Sequence, residues 1–440
     1  MTFITQASQL LLSLSILVLI HELGHFFFAR IFKVKVDKFY LFFDAGFALF
    51  RYKPKKSDTE YGVGWLPLGG YCKISGMIDE SMDTEQLVTA PQPWEFRTKP
   101  AWQRLLIMLG GVIFNLFLAY FIYVGVLMCW GDSYYANNDI KYGIACDSTA
   151  LEMGFRNGDK VLAINGKPVV DFLDIQKRMI LYREMNISLQ RGNEIVNIEP
   201  DYYKYISHMV SGGRFIAPMI PLRIKEIPDT SINKLSGLYV GDEIMGVNGI
   251  RGGNLKIREL LGQNKGTTVT LNVLRQNESL DIQAQVSNEG RIEVIEPDIS
   301  EIIPMTQRQY SILQVFPAAL LKAKNRISDQ LCEVRMIFTP KTKTYKQVGS
   351  FISIYKIYSN TWNWQAFWNI TAFLSIMLAV LNLLPIPALD GGHAMFAIYE
   401  IVVRRKPGEK FLIRAQVVGM IILILIMALA LGNDIIRHIL

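Results

Sequence analysis

Residues 2–29 read TFITQASQLLLSLSILVLIHELGHFFFA, and Glu22 is the only formal charge among them. A helix rises about 1.5 Å per residue, so roughly 20 apolar residues cross a ~30 Å hydrocarbon core. The stretch can therefore span a membrane, yet it carries a carboxylate and two imidazoles near its far end. Three more windows are as bare: Leu105 to Gly131, Ile357 to Leu389 and Ala415 to Asn433 hold no Asp, Glu, Lys or Arg over 27, 33 and 19 positions. The third opens with polar and aromatic residues and is expected to insert from about Phe367. Four such windows predict a multi-pass α-helical membrane protein. The first has no basic leader and no A-x-A-like site, so it is not read as a cleavable signal.

Composition agrees. Of 440 residues, 50% are hydrophobic and only 19% charged, against about a quarter charged in a soluble domain. The apolar content excludes disorder as an overall description. Cys72, Cys129, Cys146 and Cys332 are far apart and form no CxxC pair, which rules out a disulfide scaffold and a cysteine-built zinc finger. The net charge of +7 collects in two connections. Arg30, Lys33, Lys35, Lys38, Arg51, Lys73, Arg97 and Lys99 lie between the first and second windows, and Arg404, Arg405, Lys406 and Lys410 between the third and fourth. Positive connections stay in the cytosol. Both termini and the stretch from about Asp132 to Lys356 are then expected outside. The basic excess is topological, and no nucleic-acid partner is expected.

The outer stretch contains a repeat. Gly158-Asp159-Lys160-Val161-Leu162-Ala163-Ile164-Asn165-Gly166 recurs 83 residues later as Gly241-Asp242-Glu243-Ile244-Met245-Gly246-Val247-Asn248-Gly249. In each copy an alternating strand runs into Asn-Gly, a strong hairpin signal. Helix-like stretches follow, Asp171 to Tyr182 and Leu255 to Leu261. With Gly154 and Gly237 the pattern becomes G-x-x-x-G-D-x-Ф-x-x-Ф-N-G, Ф being apolar, and it resembles bacterial PDZ domains. Such domains offer a sheet edge for strand addition. They could equally act as a size filter over a site. Residues 308–340 read as an amphipathic helix leading back to the membrane, with Leu313, Val315, Phe316, Leu320, Leu321 and Ile327 on its apolar face.

The chemistry sits in the spans. His21-Glu22-Leu23-Gly24-His25 is an HExxH motif. On a helix the two imidazoles lie one turn apart on one face and can reach one metal ion, while Glu22 points roughly 100° away, near a metal-bound water. Zinc suits this arrangement, with Zn–N about 2.0–2.1 Å. An ionisable group at membrane depth costs at least about 2.5 kcal/mol and is functional by default. A catalytic zinc needs a third protein ligand and an open position. The other isolated carboxylate beside an apolar window is Asp390, in Asn382-Leu383-Leu384-Pro385-Ile386-Pro387-Ala388-Leu389-Asp390-Gly391-Gly392-His393. Asp390 is a ligand candidate or a helix cap. For His393 a cap, a supporting contact and ligation are all open. The prolines break the helix and leave backbone carbonyls free around Asn382 to Pro385. The Asn382 amide can both donate to and accept from an extended peptide.

Between these spans, Val34, Val36, Phe39, Leu41, Tyr61, Val63 and Trp65 give residues 34–74 strand character. At membrane depth non-helical backbone must be paired or line a cavity. A sheet edge there could hold an unwound substrate segment; an ordinary cytosolic hairpin is the alternative.

Taken together, these motifs resemble the site-2 protease family of intramembrane zinc metalloproteases over essentially the whole chain. HExxH matches at His21 to His25. N-x-x-P-x-P-x-L-D-G-G matches at Asn382, Pro385, Pro387, Leu389, Asp390, Gly391 and Gly392, and P-L-G-G-Y at Pro67 to Tyr71. In the second span Gly111 and Asn115 match the A-G-P-x-x-N pattern, with Val112 in place of the proline. The cytosolic stretch reads Asp44-Ala45-Gly46 where many relatives have Gly-x-Gly. The resemblance implies that His21, His25 and Asp390 hold Zn2+, that Glu22 is the catalytic base, and that Asn382 and Pro385 help hold the substrate. It implies hydrolysis of peptide bonds in or near transmembrane segments. Its implied partners are membrane-embedded proteins in the lipid bilayer, pre-cleaved anti-sigma factors and signal-peptide remnants among them. It implies a bacterial inner membrane, with the termini and PDZ domains periplasmic and the active site toward the cytosol.

The expected architecture is a polytopic α-helical membrane protein with four transmembrane helices, a membrane-associated β-hairpin region and two extracytoplasmic PDZ-like α+β domains. Its segments are 1–30, first span; 31–103, cytosolic or re-entrant β region; 104–131, second span; 132–222 and 223–305, PDZ-like domains. Then come 306–365, amphipathic helix and return; 366–393, third span; 394–411, basic cytosolic loop; and 412–433, fourth span. Two rivals differ in class. A zinc transporter needs no glutamate after the first histidine and wants a polar path, which the fourth window is read as lacking. A non-catalytic PDZ scaffold leaves HExxH unexplained.

Overall fold

The structure, a computed structural model, describes residues 2–55, 57–67, 69–77, 90–211, 215–297 and 299–438. Leu68 of the Pro67–Tyr71 match lies outside them. The chain forms two compact units: Met1–Gly131, Gln309–Phe338 and Tyr345–Leu440 make one, and Asp132–Arg308 with Thr339–Thr344 the other.

The first unit opens with helix α1 (Thr2–Ile31). Lys33 takes a left-handed backbone (φ 55), and the Val34 N–H folds back onto the Ala29 carbonyl at 2.8 Å, which ends the helix. Strands β1 (Val36–Leu41), β2 (Phe43–Tyr52), β3 (Glu60–Leu66) and β4 (Tyr71–Ile74) follow. They form one sheet in the order β2-β3-β1-β4, with β1 parallel to β3 and antiparallel to β4. The expected hairpin region is thus a four-stranded sheet with a parallel pair. Helix α2 (Ala101–Trp130) starts after Pro100 and stops at Gly131 (φ 70), where a residue with a side chain is strained.

The second unit carries β5 (Asp132–Tyr134), β6 (Ile144–Cys146), α3 (Ser148–Glu152), β7 (Lys160–Ile164), β8 (Lys167–Pro168), α4 (Leu173–Tyr182), β9 (Ile187–Arg191), β10 (Glu194–Ile198), α5 (Tyr202–Ser211) and β11 (Ile216–Pro218). It continues with β12 (Leu222–Arg223), β13 (Glu243–Val247), β14 (Ile250–Arg251), α6 (Asn254–Gln263), β15 (Thr268–Arg275), β16 (Glu278–Gln285), α7 (Ile299–Ile302) and β17 (Thr306–Arg308). Two sheets, β10-β9-β7-β8 and β12-β13-β15-β16, repeat one design. Each has an Asn-Gly turn with both residues left-handed, Asn165-Gly166 (φ 46, 72) and Asn248-Gly249 (φ 51, 81), the type I′ geometry that suits strand twist. Each also buries one aspartate. Arg191 forks onto Asp159 at 2.9 and 2.8 Å and reaches the Gly154 carbonyl at 2.8 Å. Arg275 forks onto Asp242 at 2.7 and 2.8 Å and reaches the Gly237 carbonyl at 2.7 Å.

Back in the first unit come α8 (Ile312–Ile337), α9 (Phe351–Ile357), α10 (Trp364–Asn382), α11 (Asp390–Val403) and α12 (Glu409–His438). Among the described residues four helices are long and apolar enough to cross a membrane: Phe3–Ile31, Ala101–Trp130, Trp364–Asn382 and Lys410–Arg437. The third span, expected over 366–393 with a break at its prolines, ends as helix at Asn382, because Pro385 and Pro387 have no N–H to donate and Ala388 is left-handed (φ 91). One expectation is corrected. Residues 394–411, read as a loop, are mostly helix: α11 meets no breaker until Arg404 (φ 58).

Helices α1, α2, α8 and α10 pack closely. At the crossing of α1 and α2, a Cβ on Gly24 would lie 2.2 Å from the Gly110 carbonyl oxygen, and one on Gly110 would lie 2.4 Å from that of Gly24. Two facing glycines let the backbones touch. Farther along, Ala119 and Tyr123 of α2, Val315 and Ala319 of α8, and Ala372 and Ile376 of α10 share one core.

Candidate metal centre in the helix bundle

The packing of α1 on α2 fixes two imidazoles. His21 and His25 are 8% and 6% exposed, with ring centroids 4.8 Å apart. A Cβ on Gly111 would sit 2.4 Å from His21 Cε1 and 2.6 Å from His25 Nε2, so only glycine lets α2 cover the pair. Where α10 ends, the proline loop turns the chain, and α11 starts at Asp390. A Cβ on Gly391 would lie 2.3 Å from the Leu384 carbonyl oxygen; the diglycine lets that helix start nest under its own loop. Asp390 thereby faces the histidines.

Three atoms converge. Asp390 Oδ2 lies 3.2 Å from His21 Nε2 and 3.3 Å from His25 Nε2, and the two Nε2 atoms are 3.2 Å apart. Tetrahedral ligands ~2.0–2.1 Å from a zinc ion stand about 3.3–3.4 Å from one another. The triangle has that size. His25 Nδ1 is 2.9 Å from the Ile107 carbonyl, so Nδ1 carries the proton and Nε2 offers a lone pair. The Asn115 amide is 3.2 Å from His21 Nδ1, and its buried oxygen has no other partner. With that oxygen turned to the ring, it accepts the Nδ1–H, and His21 Nε2 also offers a lone pair. Asp390 Oδ2 is buried without a hydrogen-bond partner. Three lone pairs pointed at one another in a dry place repel unless a cation lies among them. The donor set, two imidazoles and a carboxylate, is one zinc accepts.

The triad opens onto a cavity of about 700 Å³, shared by Glu22, Asn382, His393 and β4. Gly70, at the start of β4, packs against Glu22: a Cβ there would lie 3.4 Å from Glu22 Cγ. Cys72 of the same strand lines the cavity beside Glu22. Asn382 Nδ2 is 3.2 Å from His21 Nε2, so the side chain expected to hold substrate lies against the metal triangle. His393 lines the cavity but stands outside the three-donor group. Pro385 is exposed and apart from the cavity wall. Asp44 of the Asp44-Ala45-Gly46 stretch also lines it, accepting a hydrogen bond from the Tyr71 hydroxyl at 2.9 Å. Burial and that carboxylate push the Tyr71 phenol up, so it stays a neutral donor.

One wall residue escaped the sequence reading. Gln416 of α12, 4% exposed, lines the cavity with Met420. The fourth window, read as offering no polar path, thus brings one amide to the site. A lone glutamine early in an apolar span was the available signal.

The profile of peptidase family M50 matches residues 9–426. A protein of Rickettsia conorii named "Putative zinc metalloprotease RC0203" is 28% identical over 438 residues, 97% of each chain. One of Borreliella burgdorferi, similarly named a zinc metalloprotease, is 25% identical over 432 residues, 96% of each. The regulator of sigma-E protease RseP of Salmonella typhimurium is 26% identical over 449 residues, 96% of this chain and 97% of that one.

Proposed function

The chain belongs to peptidase family M50, and from that premise we propose how this intramembrane zinc metalloprotease works. His21, His25 and Asp390 hold the zinc, and Glu22 is the catalytic base. The observation that carries this is the buried three-donor triangle, whose carboxylate oxygen has no protein hydrogen bond.

Zinc, when bound, supplies a Lewis acid that acidifies water and polarises a carbonyl. Glu22, beside the triad in the shared cavity, takes the proton of the attacking water and returns it to the leaving amine. Asn382 holds the substrate backbone beside the triad, and Pro385 contributes by ending α10, which frees the loop to turn. A helical peptide bond is shielded by its own hydrogen bonds, so the scissile segment must be extended. Strand β4, the last in the sheet order among the described residues, lines the cavity and is suited to pairing with that segment.

The substrates in this reading are membrane-embedded proteins. The likeness to a regulator of sigma-E protease supports pre-cleaved anti-sigma-factor-like proteins, with signal-peptide remnants as a second group. The second unit is read as two PDZ-like modules, supported by the duplicated Asn-Gly turn and the duplicated aspartate–arginine lock. The clustering of Lys and Arg between the spans supports a bacterial inner-membrane protein with termini and modules periplasmic and the zinc site toward the cytosol.

The test is cleavage of a tagged transmembrane substrate by the purified chain, with zinc content measured in parallel. One zinc per chain and chelator-sensitive cleavage are expected. Cleavage that persists after complete zinc removal would overturn the assignment.

A further inference from the structure

We propose that Gln416 is a substrate-binding residue, its carboxamide hydrogen bonding the backbone of the extended peptide in the catalytic cavity; the proposal rests on the protease reading above. From Ala415 to Asn433, Gln416 and Asn433 are the only residues with polar side chains. Asn433 is used structurally, its Nδ2 donating to the Tyr345 and Val348 carbonyls at 2.9 and 3.1 Å. Gln416 is not. It is 4% exposed, it lines the cavity that His21, Glu22 and Asp390 share, and among the described residues no group hydrogen bonds its carboxamide.

Three other buried polar side chains of the bundle knit elements together. Gln9 donates to the Ser359 carbonyl at 2.9 Å, Ser13 pairs with Thr371 at 3.1 Å, and Ser375 donates to the Asn115 carbonyl at 2.7 Å. Such contacts are helix glue. A buried amide that glues nothing and faces a catalytic cavity is placed for what enters that cavity.

The chemistry fits an extended chain. A strand paired along one edge still presents N–H and C=O groups on its other edge, and once buried in the cavity these need partners. β4 lines the cavity from the sheet, and Gln416 lines it from α12. A carboxamide carries two donors and an acceptor, so it can answer a peptide N–H, a peptide C=O or both. Met420, one turn on, adds an adaptable apolar surface to the same wall. Recognition through the backbone suits an enzyme that accepts apolar segments of differing sequence.

The test uses the full chain reconstituted with zinc and a synthetic transmembrane peptide in which single peptide bonds are replaced, one at a time, by esters. Gln416→Met keeps the length and removes the hydrogen bonds; Gln416→Asn keeps the amide and draws it back. We expect Gln416→Met to lower kcat/KM about tenfold at unchanged zinc content, with Gln416→Asn between it and wild type. The ester scan should slow wild type at a particular position, and that slowing should vanish in Gln416→Met. The scan on wild type and the Asn variant decides the matter if the Met variant fails to insert. Equal kcat/KM across the variants, or an ester profile unchanged by them, overturns the proposal and leaves the protease reading standing. Wild type that holds zinc but cleaves nothing overturns that reading, and this proposal with it.

Discussion

Asp390 of the first unit and the two arginine-locked aspartates of the second are surrounded in opposite ways. In the second unit Asp159 and Asp242 are each 1% exposed, and each is fully answered. A guanidinium forks onto both oxygens, and a backbone N–H, from Arg156 or Tyr239, donates at 2.8 or 2.9 Å. In the first unit Asp390 meets two imidazole nitrogens, and its inner oxygen has no hydrogen bond. A buried carboxylate pays for its lost hydration through its partners. Where the protein supplies them all, the group is structural. Where the protein supplies only lone pairs, as at Asp390, the partner we propose is a cation from outside.

The sharpest break of that comparison is to remove each carboxylate. Asp390→Ala should abolish both zinc binding and cleavage, because a proposed ligand is lost. Asp159→Ala should leave the zinc stoichiometry as in wild type. Metal analysis of the purified variants, with cleavage of a pre-trimmed substrate, checks both; wild-type zinc content in Asp390→Ala would remove that residue from the ligand set. Glu22→Gln comes next. It keeps the size of the side chain and takes away the base, so zinc should remain while the rate falls by about 10²–10⁴ or more. Zinc loss in Glu22→Gln would make Glu22 a ligand, and the proton would need another acceptor.

How much of this was legible beforehand follows from the range of the forces. The spans of α1, α2 and α12 were readable because hydrocarbon excludes charge from long windows. The facing of His21 and His25 was readable because helical period alone brings residues four apart to one side. Both Asn-Gly turns were readable because their backbone nearly requires those residues. Other features depend on contacts distant in sequence. The parallel pairing of β1 with β3 needs a crossover that local alternation does not specify. Helix α11 was hidden because two prolines precede it, two glycines fall in its first turn and the basic Arg404-Arg405-Lys406 run follows it, all of which read as loop. Asn115 was noted as a motif match, but its contact with His21 spans 94 residues and only the packing reveals it.

That contact provides a graded test. Asn115→Leu keeps a similar volume and deprives His21 Nδ1 of its partner, freeing the ring to change tautomer or turn. Groups that orient a ligand typically contribute 10- to 100-fold to metal affinity. Competition against a chelator of known affinity should show zinc bound that much more weakly, with cleavage restored by excess zinc. Failure of excess zinc to restore cleavage would assign Asn115 a role beyond orienting the ring.

The smallest effect on catalysis is expected where the partner itself is removed in the second unit. Arg275→Ala leaves Asp242 with the Tyr239 N–H and without its guanidinium, 28% exposed at the surface end. Breaking a buried pair from one side costs about 3–5 kcal/mol, since a charge stays behind. The cost should fall on the sheet β12-β13-β15-β16 and its core of Ile244, Val247, Leu271 and Val273. Hydrogen exchange on the full chain should quicken across Glu243–Val247 and Thr268–Arg275. Zinc content and the cleavage of a short transmembrane peptide should not change, because every proposed ligand and the base lie in the other unit. Arg275→Met, which removes the guanidinium that lies 4.4 Å from the Tyr239 ring centroid and keeps an apolar chain in its place, separates packing from charge: similar acceleration in both variants attributes the loss to the guanidinium. A parallel loss of zinc would mean that the two kinds of buried aspartate are energetically coupled, and the contrast between them would no longer separate structure from chemistry.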